Sequence, residues 1–302
     1  MNQYPVPKPR WYDGLQGRFL RLAASGTLPA SWFLRDLPPP AARAAREGTL
    51  SLEIVSHCWR YAHMLVYQLS SLVLDPPRDL TVTMTVYYCE EDQATVDLLN
   101  FFSAQQVPGV TWNWRALPRQ ALFRRAIGRN EAALATTADW VWFTDCDVLF
   151  REGCLASLAR ELQGRRDALV FPSAEHCTGL LPADAALLRP EMDPLRIMDI
   201  DPTLFSVFSR DRATGPLQIT HGDVARAVGY CASLPYYQRP SETWCKAYED
   251  RAFRWLLRTA GEPLDVPGVY RIRHVEKGRY TGSALNTGIR SGLRRLVARF
   301  KG

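Results

Sequence analysis

The stretch from residue 52 to residue 150 constrains the fold more than any other, because its hydrophobic pattern alternates between strand and helix periods. Residues 52–57, 80–88, 110–115 and 140–143 are short runs rich in β-branched and aromatic side chains, the composition of strands. Between them, residues 61–74 place Tyr61, Leu65, Leu69, Leu72 and Val73 on one helical stripe. Residues 93–105 carry Val96, Leu99 and Phe102, and residues 120–137 carry Leu122, Phe123, Ala126, Ile127, Ala133 and Leu134. Asp75-Pro76-Pro77 stops the first of these helices. Strands separated by helices of this length pair in parallel, with right-handed crossovers. A ligand of such a sheet sits beyond the carboxyl ends of its strands. Those ends are His57-Cys58-Trp59-Arg60, Glu90-Glu91-Asp92 and Asp145-Cys146-Asp147, so three polar segments meet on one rim.

The last of these ends follows Trp140-Val141-Trp142-Phe143, a solid apolar run that predicts a strand covered on both faces. Continued as extended chain, it turns Asp145 and Asp147 to one side and Cys146 to the other. Two hard oxygen ligands at that place suit Mg²⁺ or Mn²⁺, ions that complete their shell with substrate phosphates. An Asp-rich turn closing the strand is the other reading of the same residues, and the stretch alone leaves both open.

Composition narrows the partners. The net charge of +6 favours phosphates or an anionic membrane surface, and no nucleic-acid-binding motif accompanies it. The seven cysteines are scattered with no C-x-x-C pair, which points away from a disulfide framework or zinc site and towards a reducing, cytoplasmic setting. No strand is followed by G-x-G-x-x-G or a Walker loop, which points away from ordinary dinucleotide and P-loop chemistry. No apolar run reaches bilayer length and no basic-then-apolar leader opens the sequence.

The remainder is less regular. Residues 1–48 form an N-terminal extension rich in Pro, Arg and aromatics, with a short helix over 15–24. Residues 49–175 make the first half of the domain and residues 176–285 the second. Past residue 150, helices are expected over 155–162, 222–229 and 249–258, and strands over 168–171, 205–208 and 269–275. His176 and His221 fall in expected surface loops, and Tyr236, Tyr237 and Trp244 are aromatics able to stack on a sugar ring. Residues 286–302 form a basic tail. Within it Leu293, Leu296, Val297 and Phe300 share one stripe opposite four cations, the pattern of a helix lying on a peripheral membrane surface at the inner face.

These motifs together resemble the GT-A fold glycosyltransferases. The parallel-sheet half ending in Asp145-Cys146-Asp147 is similar to their nucleotide-sugar-binding half, whose D-x-D holds the metal bridging the donor diphosphate. Gly128-Arg129-Asn130-Glu131-Ala132-Ala133 resembles the helix segment that precedes that strand in family 2 transferases. Thr243-Trp244, followed by Glu249-Asp250-Arg251, is similar to the acceptor-side E-D motif, whose Asp acts as general base. Tyr270-Arg271-Ile272-Arg273-His274 resembles the M-I-R-H strand of β-1,4-galactosyltransferases, whose His is a third metal ligand. Two departures stand out. No G-W-G-G precedes Glu249, and the first strand ends in Ser56-His57-Cys58 instead of Pro-x-Tyr-Asn.

The resemblance implies a Rossmann-like, mixed but mainly parallel α/β sheet flanked by helices, with an acceptor-side C-terminal half. It implies an inverting, metal-dependent sugar transfer from a nucleoside diphosphate sugar, a UDP-sugar first, to a glycan, lipid-linked or small-molecule hydroxyl. Asp250 is then the candidate base with Glu249 in reserve. Asp145, Asp147 and His274 are the candidate ligands of Mn²⁺ or Mg²⁺. His57, Arg60, Glu90, Asp92, Arg129, Asn130 and Asp145 are candidate donor contacts. Acids in the first turn of a helix also serve its dipole, so the Glu249-Asp250 pair keeps that structural alternative. Two rival functions remain. One is a haloacid-dehalogenase-type phosphatase with Asp145 as nucleophile; the other is a silent nucleotide- or sugar-binding protein.

Overall fold

The computed structural model describes residues 4, 11–151, 153–243 and 248–274. The chain enters through α1 (Asp13–Leu22) and short helical turns. It then runs β1 (Leu50–His57), α2 (Ala62–Leu74), β2 (Leu80–Tyr88), α3 (Gln93–Ser103) and β3 (Val110–Ala116). Next come α4 (Arg119–Leu122), α5 (Arg125–Ala135), β4 (Trp140–Phe143), β5 (Val148–Phe150) and α6 (Cys154–Glu161). The second half holds β6 (Leu169–Pro172), β7 (Ala174–Thr178), β8 (Phe205–Ser209), β9 (Gln218–His221), α7 (Gly222–Val228), α8 (Glu249–Leu256), β10 (Glu262–Leu264) and β11 (Val269–Arg271).

Seven strands form the main sheet in the order β10-β6-β9-β4-β1-β2-β3. β1 lies at its centre, parallel to β2 from Leu50↔Leu80 to His57↔Tyr87 and parallel to β4 from Leu52↔Trp140 to Val55↔Phe143. Helices cover both faces, so β1 and β4 bury almost every side chain, as their unbroken apolar runs require. The expected parallel core is thus present. One strand departs from it: β9 is antiparallel to both β4 and β6 and lies between them. A second, four-stranded sheet, β5-β11-β7-β8, carries the chain past the D-x-D segment.

The expected helix over 120–137 is two helices. Arg124 between them has φ −112° and ψ 82°, outside helical range. Its guanidinium turns away to the Arg239 carbonyl at 3.1 Å and over the Tyr236 ring at 5.2 Å, and the backbone follows. The expected strand over 269–275 stops at Arg271, with His274 adding one isolated bridge to Leu181. His176 and His221 are not surface loop residues. His176 lies in β7 stacked on Tyr270, and His221 ends β9, buried, with Nε2 3.0 Å from the Ala44 carbonyl oxygen. Trp244, Val275 and the tail over 286–302 lie outside the described residues. Among the described residues no helix is long and apolar enough to cross a membrane.

Candidate active site

The D-x-D segment is a turn. β4 stops at Phe143, and the Val148 N–H donates back to the Asp145 carbonyl at 3.2 Å before β5 begins. The alternation expected of an extended chain therefore does not apply here. Cys146 and Asp147 are both buried. A residue that no motif pointed to fixes the turn. Gln68, fully buried in α2, donates from Nε2 to the Asp145 carbonyl at 3.0 Å and the Val148 carbonyl at 2.7 Å. Its Oε1 accepts the Ser56 hydroxyl at 2.6 Å, which fixes the amide's orientation. The only signal in the sequence is a glutamine inside the apolar run of α2.

Arginines govern the charge around the turn. Arg125 opens α5 and joins two carboxylates: Nη1 to Asp145 Oδ1 at 2.5 Å, and Nη2 and Nε to Glu249 Oε1 at 2.9 and 3.2 Å. Burial works against the charge of Arg125, but Asp145 and Glu249 outweigh it and hold the guanidinium protonated well above its usual range. One turn further along α5, Arg129 is fully buried. It donates to Asp145 Oδ1 at 3.3 Å, the Thr144 carbonyl at 3.0 Å and the Tyr230 hydroxyl at 2.9 Å. Asn130 accepts the Tyr230 N–H at 2.9 Å. Both predicted donor contacts on α5 thus bind the protein's own groups in this structure.

Behind Asp147 a second set repeats the arrangement. The fully buried Glu175 pairs with Arg271 at 2.8 Å and with Arg210. Burial lowers the Arg271 basicity, while Glu175, with smaller contributions from Cys177 and Asp147, raises it to a net increase. The Ile272 N–H donates to the Asp147 carbonyl at 2.9 Å, so the chain leading to His274 runs beside the turn. His274 is buried with its ring 5.4 Å from that of Tyr61.

The other rim residues take varied places. His57 is buried and stacked on Tyr87 with ring centroids 5.0 Å apart. Gly128 makes room for it, since a Cβ there would lie 2.5 Å from His57 Nε2. Burial, then the charges of Arg129 and Arg125, push the imidazole well below its usual value, and Asp145 only partly opposes them. Asp92 is buried and accepts the Arg60 N–H at 2.5 Å and the Thr95 hydroxyl at 2.7 Å, a structural role at the start of α3. Arg60 is exposed over the Trp59 ring at 5.2 Å, and Glu90 is exposed. Glu91 pairs with Arg119 at 2.9 Å.

Glu249 and Asp250 open α8 and differ in kind. Glu249 is buried against Arg125, whereas the Asp250 carboxylate is partly exposed and 3.7 Å from Arg254. Gln218 in β9 holds the Asp250 carbonyl at 3.0 Å. Beside them a cleft of about 170 Å³ is lined by Gly17, Arg18, Arg21, Tyr236 and Tyr248.

Among the described residues no group of three or more His, Cys, Asp and Glu side chains is arranged to hold a metal ion, so Asp145, Asp147 and His274 do not come together as one such set. What the turn offers is two carboxylates one residue apart. That is the donor set through which Mg²⁺ and Mn²⁺ bind jointly with substrate phosphates, and it fits such an ion.

Residues 94–205, which include the D-x-D turn, Arg125 and Arg129, match the family model for glycosyl transferase family 2. The match takes in a little over a third of the chain. The matched segment belongs to the mixed, mainly parallel sheet and takes in α5, β4 and the turn, but neither β1 nor α8. No curated protein matches the chain. Among solved structures, residues 1–349 of S. aureus TarS are 13% identical, over 74% of this chain and 58% of that one, with a TM-score of 0.42. A mannosyltransferase from Pyrobaculum calidifontis, solved with GDP-Man and Mn²⁺, is 17% identical, over 89% of this chain and 70% of that one, with a TM-score of 0.43. The chain therefore spans less than two thirds of the length of the first of these.

Proposed function

We propose that the chain is a metal-dependent, inverting glycosyltransferase that moves a sugar from a nucleoside diphosphate sugar to an acceptor hydroxyl. The observation that carries this reading is the family 2 match across a D-x-D turn whose first carboxylate is tied, through Arg125, to the acid pair opening α8. Donor-side and acceptor-side chemistry thereby share one ion-pair chain.

A departing diphosphate needs positive charge. Asp145 and Asp147 would hold Mn²⁺ or Mg²⁺, which supplies that charge as a Lewis acid when bound. Arg125 lies beside the same carboxylate and adds a fixed cation. Residues 49–175 serve the donor and residues 176–285 the acceptor. Asp250 takes the acceptor proton, because its carboxylate reaches solvent while Glu249 is spent on Arg125. The cleft next to α8, lined by Arg18, Arg21, Tyr236 and Tyr248, would receive the acceptor sugar, with Arg21 over the Tyr248 ring at 4.4 Å and Arg124 over the Tyr236 ring at 5.2 Å. The acceptor is a glycan, lipid-linked or small-molecule hydroxyl, and the site of action is cytoplasmic.

The test is a panel of UDP- and GDP-sugars with Mn²⁺. A matching donor stabilises the fold by linkage, by about 2.7 kcal/mol at a hundredfold excess over Kd, so it raises the melting temperature, and it is slowly hydrolysed without acceptor. Asp147→Asn removes both effects, whereas Asp250→Asn abolishes transfer but leaves the melting shift. No metal-dependent shift or hydrolysis with any nucleotide sugar would overturn the proposal.

A further inference from the structure

Helix α1 turns its apolar stripe away from the domain. Trp11, Leu15, Phe19 and Leu22 recur at four-, four- and three-residue spacing, which places them on one face. Their exposures are 87%, 55%, 47% and 60%. A helix on a domain surface ordinarily buries such a stripe. Here α1 seats itself by its other sides: Leu20 is buried, Asp13 pairs with Arg239 at 3.1 Å, and Gly17 admits the Tyr236 hydroxyl at a distance that no Cβ would allow. The segment after α1 is pinned to α8, with Arg251 donating to the Ala24 carbonyl at 3.1 Å and Trp255 to the Leu28 carbonyl at 2.9 Å. The stripe also continues. Phe33 lies 6.4 Å from Phe19 between ring centroids, and its neighbour Trp32 is 69% exposed.

Charge selects what covers this face. Lys8, Arg10, Arg18, Arg21 and Arg35 lie along the same stretch of sequence, where Asp13 is the only acid and is already paired. Arg18 and Arg21 are exposed on the flank of the stripe. A second copy of the chain would bring the same cations against each other. A bilayer with anionic lipid matches both properties: large apolar and tryptophan side chains enter the headgroup boundary while arginines meet lipid phosphates.

We propose that α1 is a membrane-docking helix that lies in the headgroup region of a bilayer containing anionic lipid. This goes beyond the transfer reaction and does not depend on it. Docking by α1 sets the cleft lined by Arg18, Arg21, Tyr236 and Tyr248 at the membrane surface.

Co-sedimentation of the full chain with phosphatidylcholine vesicles, with and without 30% phosphatidylglycerol (roughly the anionic content of a charged leaflet), tests it. The full chain should pellet with the anionic vesicles and much less with the neutral ones. Leu15→Ser/Phe19→Ser should weaken binding about tenfold or more, and Arg18→Gln/Arg21→Gln should lower it on anionic vesicles alone. Phe19 lies 6.4 Å from Phe33 and Arg21 lies over the Tyr248 ring at 4.4 Å, so the single variants Leu15→Ser and Arg18→Gln, which touch neither contact and should keep the melting temperature, are run beside the double variants and should weaken binding in the same direction. Three results would overturn the proposal. The first is a full chain that stays in the supernatant. The second is a Leu15→Ser/Phe19→Ser variant that pellets like the parent, including the case in which only deletion of residues 291–302 abolishes binding. The third is a dimer in sedimentation velocity that this variant dissociates while vesicles are ignored.

Discussion

Replacing Arg125 by Leu removes the side chain that joins Asp145 to Glu249. The Glu249 side chain is only 4% exposed, and Arg125 is its one ion-pair partner among the described residues. Its Oε2 has no hydrogen-bond partner among them either. Removing one partner of a buried pair costs about 3–5 kcal/mol, because the other charge stays buried. Arg125 is itself 22% exposed, and Asp145 retains Arg129 at 3.3 Å, so the low end applies, about 3 kcal/mol. For a chain of this size that lowers the melting temperature by about 5 °C. Calorimetry at pH 7 checks the size, and a double variant checks the cause. The double variant Arg125→Leu/Glu249→Leu should recover at least about 1 kcal/mol of the loss. A penalty below about 1 kcal/mol, or a double variant that recovers none of it, would refute the view that Arg125 neutralises a buried carboxylate.

Two further outcomes follow from buried polar groups. Gln68→Leu takes the side-chain donor from the Val148 and Asp145 carbonyls and the acceptor from the Ser56 hydroxyl, while the Asp145 carbonyl keeps the Val148 N–H, so urea denaturation should show a loss of about 1–3 kcal/mol, and donor binding should weaken because the D-x-D turn loses its anchor. His57 stays neutral in the folded protein but protonates in the unfolded chain, so stability should fall as pH drops below about 6.5, by up to about 1.4 kcal/mol per pH unit. His57→Leu should flatten that slope; an unchanged slope between pH 7 and pH 5 assigns it to other groups.

Much of the frame was legible in the residues, and for a physical reason. β1, β2, β3 and β4 are long or wholly apolar, and the helices between them are amphipathic, so period and burial agree. The position of Asp145 and Asp147 at the carboxyl end of β4 follows directly. Their conformation did not, because an Asp-rich turn and an extended pair share one sequence. β9 was also hidden: Gln218-Ile219-Thr220-His221 has one aliphatic residue in four and becomes a strand only because β4 and β6 leave a slot between them. Arg129 and Asn130 are candidate donor contacts through the family resemblance, while an arginine on a helix ordinarily faces water. Here α5 packs closely enough for both to bind the chain's own groups as well. Gln68 and Arg125 carry no motif at all, and their roles arise from neighbours distant in sequence.

The place of β9 has a consequence for synthesis. Trp140–Phe143 is among the most apolar stretches of the chain, and one of its edges stays open until Gln218–His221 arrives to close it. Translation runs at about 5–20 residues per second, so a nascent chain displays an unsatisfied, sticky strand for several seconds while the intervening segment emerges. A stop codon anywhere before residue 218 leaves that edge permanently open, and the fragment is expected to aggregate instead of folding as a free-standing donor half.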